Sequence, residues 1–156
     1  MKQKQDFLKG HQKLGVAYSA WGIVMFRFEK LDIWKLSIEY GNHVYDIADS
    51  LPKSEIYGLA PQLKRAALSI SSNIAEGSGS SSNKDFCRFL DIAIKSAIET
   101  VSQLMFAHER KFVDKKRVNT IYEEAETLIK KIQSLKMYLK KPQSTPYLQR
   151  ASKGAS

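Results

Sequence analysis

Between Leu31 and Leu139 apolar residues recur three and four positions apart in four separate stretches, three of which end at a proline or a glycine. That period belongs to the α-helix and not to the strand, whose side chains alternate every second residue. In the first stretch, Leu31 to Leu51, two apolar stripes run side by side. Trp34, Ile38, Gly41, Tyr45 and Ala48 form one, and Ile33, Tyr40, Val44, Ile47 and Leu51 the other. Pro52 ends this stretch, because the residue before a proline is pushed out of the α region.

The segment Lys53 to Ala60 reads as a connection, and Pro61 suits the first position of a second helix, where its missing N–H has no intrahelical partner to lose. Helix two, Pro61 to Glu76, turns Leu63, Ala66, Ala67, Ile70 and Ile74 inward, with Gly77 as its stop. Ser78 to Ser82 then form a short turn whose last serines cap helix three, so helices two and three are expected to be antiparallel neighbours.

Helix three, Asn83 to Lys111, has an unusually broad apolar face of ten residues from Phe86 to Met105. Either this helix is the most buried of the four, or part of its surface meets another subunit. Asp114 is placed to cap helix four, where Val118, Ile121, Ala125, Leu128, Ile132, Leu135 and Leu139 make a heptad seam that ends before Pro142. Four helices with short connections give an all-α, antiparallel up-down-up-down bundle. The domain is expected over residues 28–141, between a leader or extension at 1–27 and a flexible basic tail at 142–156.

The 156-residue chain is long enough to bury a core without disulfides, and its one cysteine, Cys87, rules out an internal one. A cytoplasmic setting is therefore expected. The uncharged run Leu14 to Phe26 follows four lysines, yet it falls short of the ~20 residues needed to cross a bilayer, and no small-x-small cleavage site follows it. Neither a signal peptide nor a membrane partner is expected.

Twenty-five Lys and Arg against 16 Asp and Glu leave a net charge of +9, which attracts polyanions. The topology gathers these charges at the two ends. Helix two ends, helix three begins and helix four ends at one pole, which brings together Lys84, Arg88, Lys130, Lys131, Lys136, Lys140 and Lys141, while Arg110, Lys111, Lys115, Lys116 and Arg117 mark the other. Candidate phosphate contacts are Lys64, Arg65, Lys84, Arg88, Lys136, Lys140 and Lys141. Aromatic residues are sparse beside these lysines, which favours a structured RNA over a single strand.

Motifs that would announce an enzyme are missing. There is no phosphate loop, no nucleophile elbow and no zinc spacing, and Glu39 with His43 is the nearest approach to a Glu-x-x-His metal pair. No catalytic residue, metal or cofactor is expected. A polar row beside helix two's apolar stripe stands out instead: Gln62, Arg65, Ser69, Asn73 and Glu76. It reads either as a hydrogen-bonded network with Ser96 and Glu99 that fixes register or an interface, or as part of a ligand or RNA surface. Asn73, Glu76 and Glu99 would be the only nucleus for an active site.

Ordered blocks across Phe28 to Lys141 carry a resemblance: Phe28-x-x-Leu31-x-x-Trp34; Leu51-Pro52-x-x-Glu55-x-Tyr57-Gly58-Leu59-x-x-Gln62-x-x-Arg65-Ala66; Ser69-Ile70-x-x-Asn73-Ile74-Ala75-Glu76-Gly77; and Phe86-x-x-Phe89-Leu90-x-Ile92-Ala93. The chain resembles the bacterial four-helix bundle proteins encoded by intervening sequences in 23S ribosomal RNA genes. It departs from them in having Lys64 in place of the first of two paired arginines, Ser71 where proline is common, Lys95 where glycine is common, and Ser78 and Gly79 where a basic residue follows the Glu-Gly. The resemblance implies a cytoplasmic, ring-like homopentamer with a proposed association with nucleic acid and no accepted catalytic residue. It extends in fold to the accessory protein of diversity-generating retroelements, a basic pentamer that binds RNA and a reverse transcriptase. The function expected is a non-catalytic, oligomeric, RNA-associated protein. A protein-binding scaffold or retroelement-like accessory subunit is the alternative.

Overall fold

A computed structural model describes residues 26–141. The expectations for the leader and the basic tail lie outside the described residues. Four α-helices follow a 3-10 turn at Arg27–Lys30: α1, Asp32–Asp49; α2, Leu59–Ser78; α3, Asn83–Glu109; and α4, Lys115–Lys140. A second 3-10 turn, Lys53–Glu55, lies in the connection between α1 and α2, and there is no strand among the described residues. Each helix packs on the next, and α1 meets α4, so the four close into an up-down-up-down square.

The periodic apolar positions build the core. Val44 of α1, Leu63, Ile70 and Ile74 of α2, Leu90, Ala93 and Ala97 of α3 and Ile132 of α4 have no exposed surface. Each large side chain removed from water in this way contributes about 1.5–3 kcal/mol. Of the two stripes on α1, the one through Ile33, Tyr40, Val44 and Ile47 is buried, whereas Trp34, Gly41 and Tyr45 are half-buried and Ile38 is exposed. Helix ends follow the expected chemistry at two places. The Ser82 side chain accepts from the Asp85 N–H at 3.1 Å, and Asp114 accepts from the Arg117 N–H at 2.9 Å.

Two boundaries differ from the sequence reading. Helix α2 starts at Leu59, so Pro61 is its third residue; the position still lies within the first turn, where N–H groups have no intrahelical acceptor. Gly77 does not stop α2. It is buried inside the helix, and the cap is Gly79. A Cβ on Gly77 would sit 2.6 Å from the Cβ of Phe89 and 2.8 Å from the Phe86 ring. The glycine is there so that α2 and α3 can approach closely, not to turn the chain.

Candidate nucleic-acid interface

The pole where α2 ends, α3 begins and α4 ends is tied together by polar contacts. Asn83 donates its side-chain amide to the Leu139 carbonyl at 3.1 Å, joining the first residue of α3 to the last turn of α4. One helical turn inward, Lys136 forms an ion pair with Asp91 across the same seam, and buried Cys87 lies 4.0 Å from the Lys136 carbonyl oxygen. Only 15% of the Lys136 side chain is exposed. This lysine therefore joins α4 to α3, while Lys84, Lys140 and Lys141 project into solvent. Arg88 is also exposed, its guanidinium 5.2 Å from the centre of the Phe89 ring, and Arg27 lies over Phe86 at 5.9 Å.

Lys64 and Arg65 sit elsewhere. They occupy the second turn of α2, some 13 or 14 residues from its C-terminus, which at 1.5 Å per residue puts them ~20 Å from the pole just described. Lys64 pairs with Asp49 and lies over the Tyr45 ring at 5.2 Å, whereas Arg65 is exposed. The seven sequence candidates thus fall on two surfaces.

Charge is also less concentrated in the bundle than the whole chain suggests. Residues 26–141 hold 19 Lys and Arg against 15 Asp and Glu, or +4 of the total +9.

Of the polar row and its expected partners Ser96 and Glu99, three of the seven residues come together. Ser96 donates to the Ser69 hydroxyl at 2.9 Å, and the Asn73 amide reaches the Ser69 carbonyl at 2.7 Å and its hydroxyl at 3.0 Å. The Ser96–Ser69 bond bridges α3 and α2, and the Asn73 bonds lie within α2. Glu99 accepts from Gln103 at 3.0 Å, one turn along its own helix, and Gln62 and Glu76 face solvent. No hydrogen bond joins Asn73, Glu76 and Glu99 to one another, and no group of three metal-ligating side chains occurs among the described residues.

Two polar pairs escaped the sequence reading because their members are far apart in the chain. The Tyr40 hydroxyl meets the Thr100 hydroxyl at 2.5 Å across the core, and Thr100 donates to the Ala97 carbonyl at 2.7 Å. Burial pushes the Tyr40 hydroxyl up to about 12, against the lowering effect of the Thr100 hydrogen bond. On the outer side, His43 of α1 contacts Glu124 of α4 at 2.9 Å, in a groove of about 360 Å³ that Glu39 and Glu123 also line. The hydrogen bond to Glu124 holds the imidazole above its ordinary value. This groove is acidic, so it repels phosphate and separates the two basic poles.

At the opposite pole Arg117 donates to the Ser50 hydroxyl at 2.9 Å, anchoring the start of α4 to the end of α1. Arg110, Lys111, Lys115 and Lys116 are exposed there. Among the described residues no helix is long and apolar enough to cross a membrane.

The family model described as "23S rRNA-intervening sequence protein" matches residues 29–134. A solved structure of a protein of unknown function from the S23 ribosomal protein family of Bacteroides thetaiotaomicron is similar in fold. It is 23% identical, with a TM-score of 0.62 over 67% of this chain and 97% of that one. No curated protein matches the chain.

Proposed function

Because the chain belongs to the 23S rRNA-intervening sequence protein family, we propose that it is a non-catalytic, cytoplasmic bundle that assembles with copies of itself and associates with structured RNA. The observation that carries the RNA reading is the group of exposed cations where α3 begins and α4 ends: Lys84, Arg88, Lys140 and Lys141, with no acidic residue after Glu126. Lysines and arginines of this kind neutralise backbone phosphate without reading bases, so binding is electrostatic and falls with salt. Lys136 is left out because Asp91 already holds it.

Assembly is supported by two apolar furrows. One runs between α3 and α4, with Ile98 56% exposed, Tyr122 48% exposed and Met105 just beyond; the other lies between α1 and α2, with Leu68 55% exposed beside Ile38. In a square of helices these two faces are opposite, and head-to-tail contact between unlike faces makes a ring when the rotation closes. The resemblance to the family implies five subunits. The same furrows favour the scaffold reading if no RNA binds.

The test is binding of nuclease-treated protein to folded 23S rRNA fragments over a salt series, beside a Lys84→Glu, Lys140→Glu, Lys141→Glu variant. The expected result is an affinity that falls steeply with salt, with the slope of log K against log salt reduced by about 2–3 in the variant. An intact oligomer that fails to bind near physiological salt would leave the scaffold as the function.

A further inference from the structure

The connection between α1 and α2 ends in a rigid tip whose side chains break the usual rule for exposed turns. Hydrogen bonds hold its backbone: the N–H of Glu55 bonds to Pro52 O at 2.8 Å and that of Gly58 to Glu55 O at 3.1 Å, while the Glu55 carboxylate accepts from the Leu59 N–H at 3.1 Å. At the apex of this fixed turn Tyr57 is 97% exposed and Ile56 53% exposed. A tyrosine standing wholly in water buries no surface on folding, so the fold gains nothing from its ring.

Around the tip lie a cleft and unpaired positive charge. The cleft, about 390 Å³, has apolar walls that include Pro52, Ile56 and Pro61, with Lys53 and the Lys64–Asp49 pair at its edge. Beside it, at the same end of the bundle, is the turn between α3 and α4, tied to α1 by Arg117 and Ser50. Among the described residues Lys53, Arg110, Lys111, Lys115 and Lys116 have no carboxylate partner. Lys111 also occupies a left-handed backbone position, φ 62°, where glycine would be more stable.

We propose that this end of the molecule binds unpaired nucleotides, with a base stacked on the Tyr57 ring beside the apolar cleft and the adjoining phosphates on Lys53 and the Arg110–Lys116 turn. The proposal rests on the RNA reading above and assigns it a second surface, separate from Lys84, Lys140 and Lys141. A nucleic acid carries a negative charge and a flat aromatic face in every repeating unit, whereas an acidic peptide carries aromatic faces only where its sequence happens to supply them.

The test compares fluorescence anisotropy of a labelled 12-nucleotide oligoadenylate with that of an abasic strand of the same length and charge. The full chain is used as wild type, Tyr57→Ala and Tyr57→Phe. Oligoadenylate is expected to bind the wild type about tenfold more tightly than the abasic strand. That preference should vanish in Tyr57→Ala and persist in Tyr57→Phe, which keeps the ring. Equal binding of the two strands by the wild type, or a preference unchanged in Tyr57→Ala, overturns the proposal. So does a change in oligomer size in Tyr57→Ala with nucleotide binding unaltered, which assigns the tip to contact between copies. If folded rRNA fragments still bind in a Lys140-dependent way, the RNA reading survives that failure; if no nucleic acid binds at all, both fall.

Discussion

A single hydrogen in place of a methyl group decides how α2 meets α3. Glycine inside a helix normally costs about 0.5–1 kcal/mol relative to alanine, so Gly→Ala substitutions there usually stabilise. At Gly77 the sign reverses, since the new Cβ would lie 2.6 Å from the Phe89 Cβ and 2.8 Å from the Phe86 ring, both on a helix that cannot move without opening the core. Overpacking of this kind costs about 1–3 kcal/mol. Gly77→Ala is therefore expected to lower the urea midpoint, while Gly41→Ala, which meets nothing within 4 Å, raises it. The sequence alone marks Gly77 as a helix stop, because glycine next to a serine-rich run is the commonest sign of one. What it hides is the pair of neighbours, Phe86 and Phe89 on the next helix, that need the space. Tyr40 and Thr100 are hidden for the same reason: each looks like an ordinary member of its own helix, and only the packed bundle brings their hydroxyls to 2.5 Å.

At the level of helices, period and caps were legible because they are local. The heptad seam of α4, the serine cap of α3 and the aspartate cap of α4 all depend on residues within four positions of one another. The candidate site was legible only in part, since lysines are visible in a sequence but their partners are not. Lys136 and Asp91, 45 positions apart, pair across the α3–α4 seam, and this removes one expected phosphate contact. The end of α3 shows a further departure. The Lys111 N–H bonds to the His108 carbonyl at 2.8 Å and the Phe112 N–H to the Ala107 carbonyl at 2.9 Å, the pattern of a Schellman cap, whose left-handed residue is usually glycine. A lysine there bears a steric cost of about 1 kcal/mol. Lys111→Gly is expected to raise unfolding stability by about that amount, measured by urea or thermal denaturation. An unchanged or lowered stability would mean that the lysine side chain makes a stabilising contact that offsets its backbone strain.

For the whole molecule, the arrangement of faces makes a sharper statement about assembly than subunit size alone. The α1–α2 furrow around Leu68 and the α3–α4 furrow around Ile98 are different surfaces on opposite sides, so contact between them joins unlike faces. Such a contact leaves each end of a growing chain open until the ring closes, whereas a two-fold contact would use one face twice and stop at a dimer. A buried charge opposite an apolar partner abolishes a contact, so in a head-to-tail assembly Ile98→Glu and Leu68→Glu are each expected to yield monomers by light scattering. Both side chains are more than half exposed, and neither change disturbs the core. Mixing the two variants separates the geometries. If unlike faces meet, Ile98→Glu retains a sound α1–α2 face and Leu68→Glu a sound α3–α4 face, and these can still join. The mixture then gives a one-to-one dimer that cannot extend, since the remaining face on each subunit carries the glutamate. If instead each face pairs with its own kind, each variant alone still dimerises through its untouched face, and mixing adds nothing. A dimer that forms only on mixing therefore identifies a head-to-tail ring, and dimers in the separate variants would refute it.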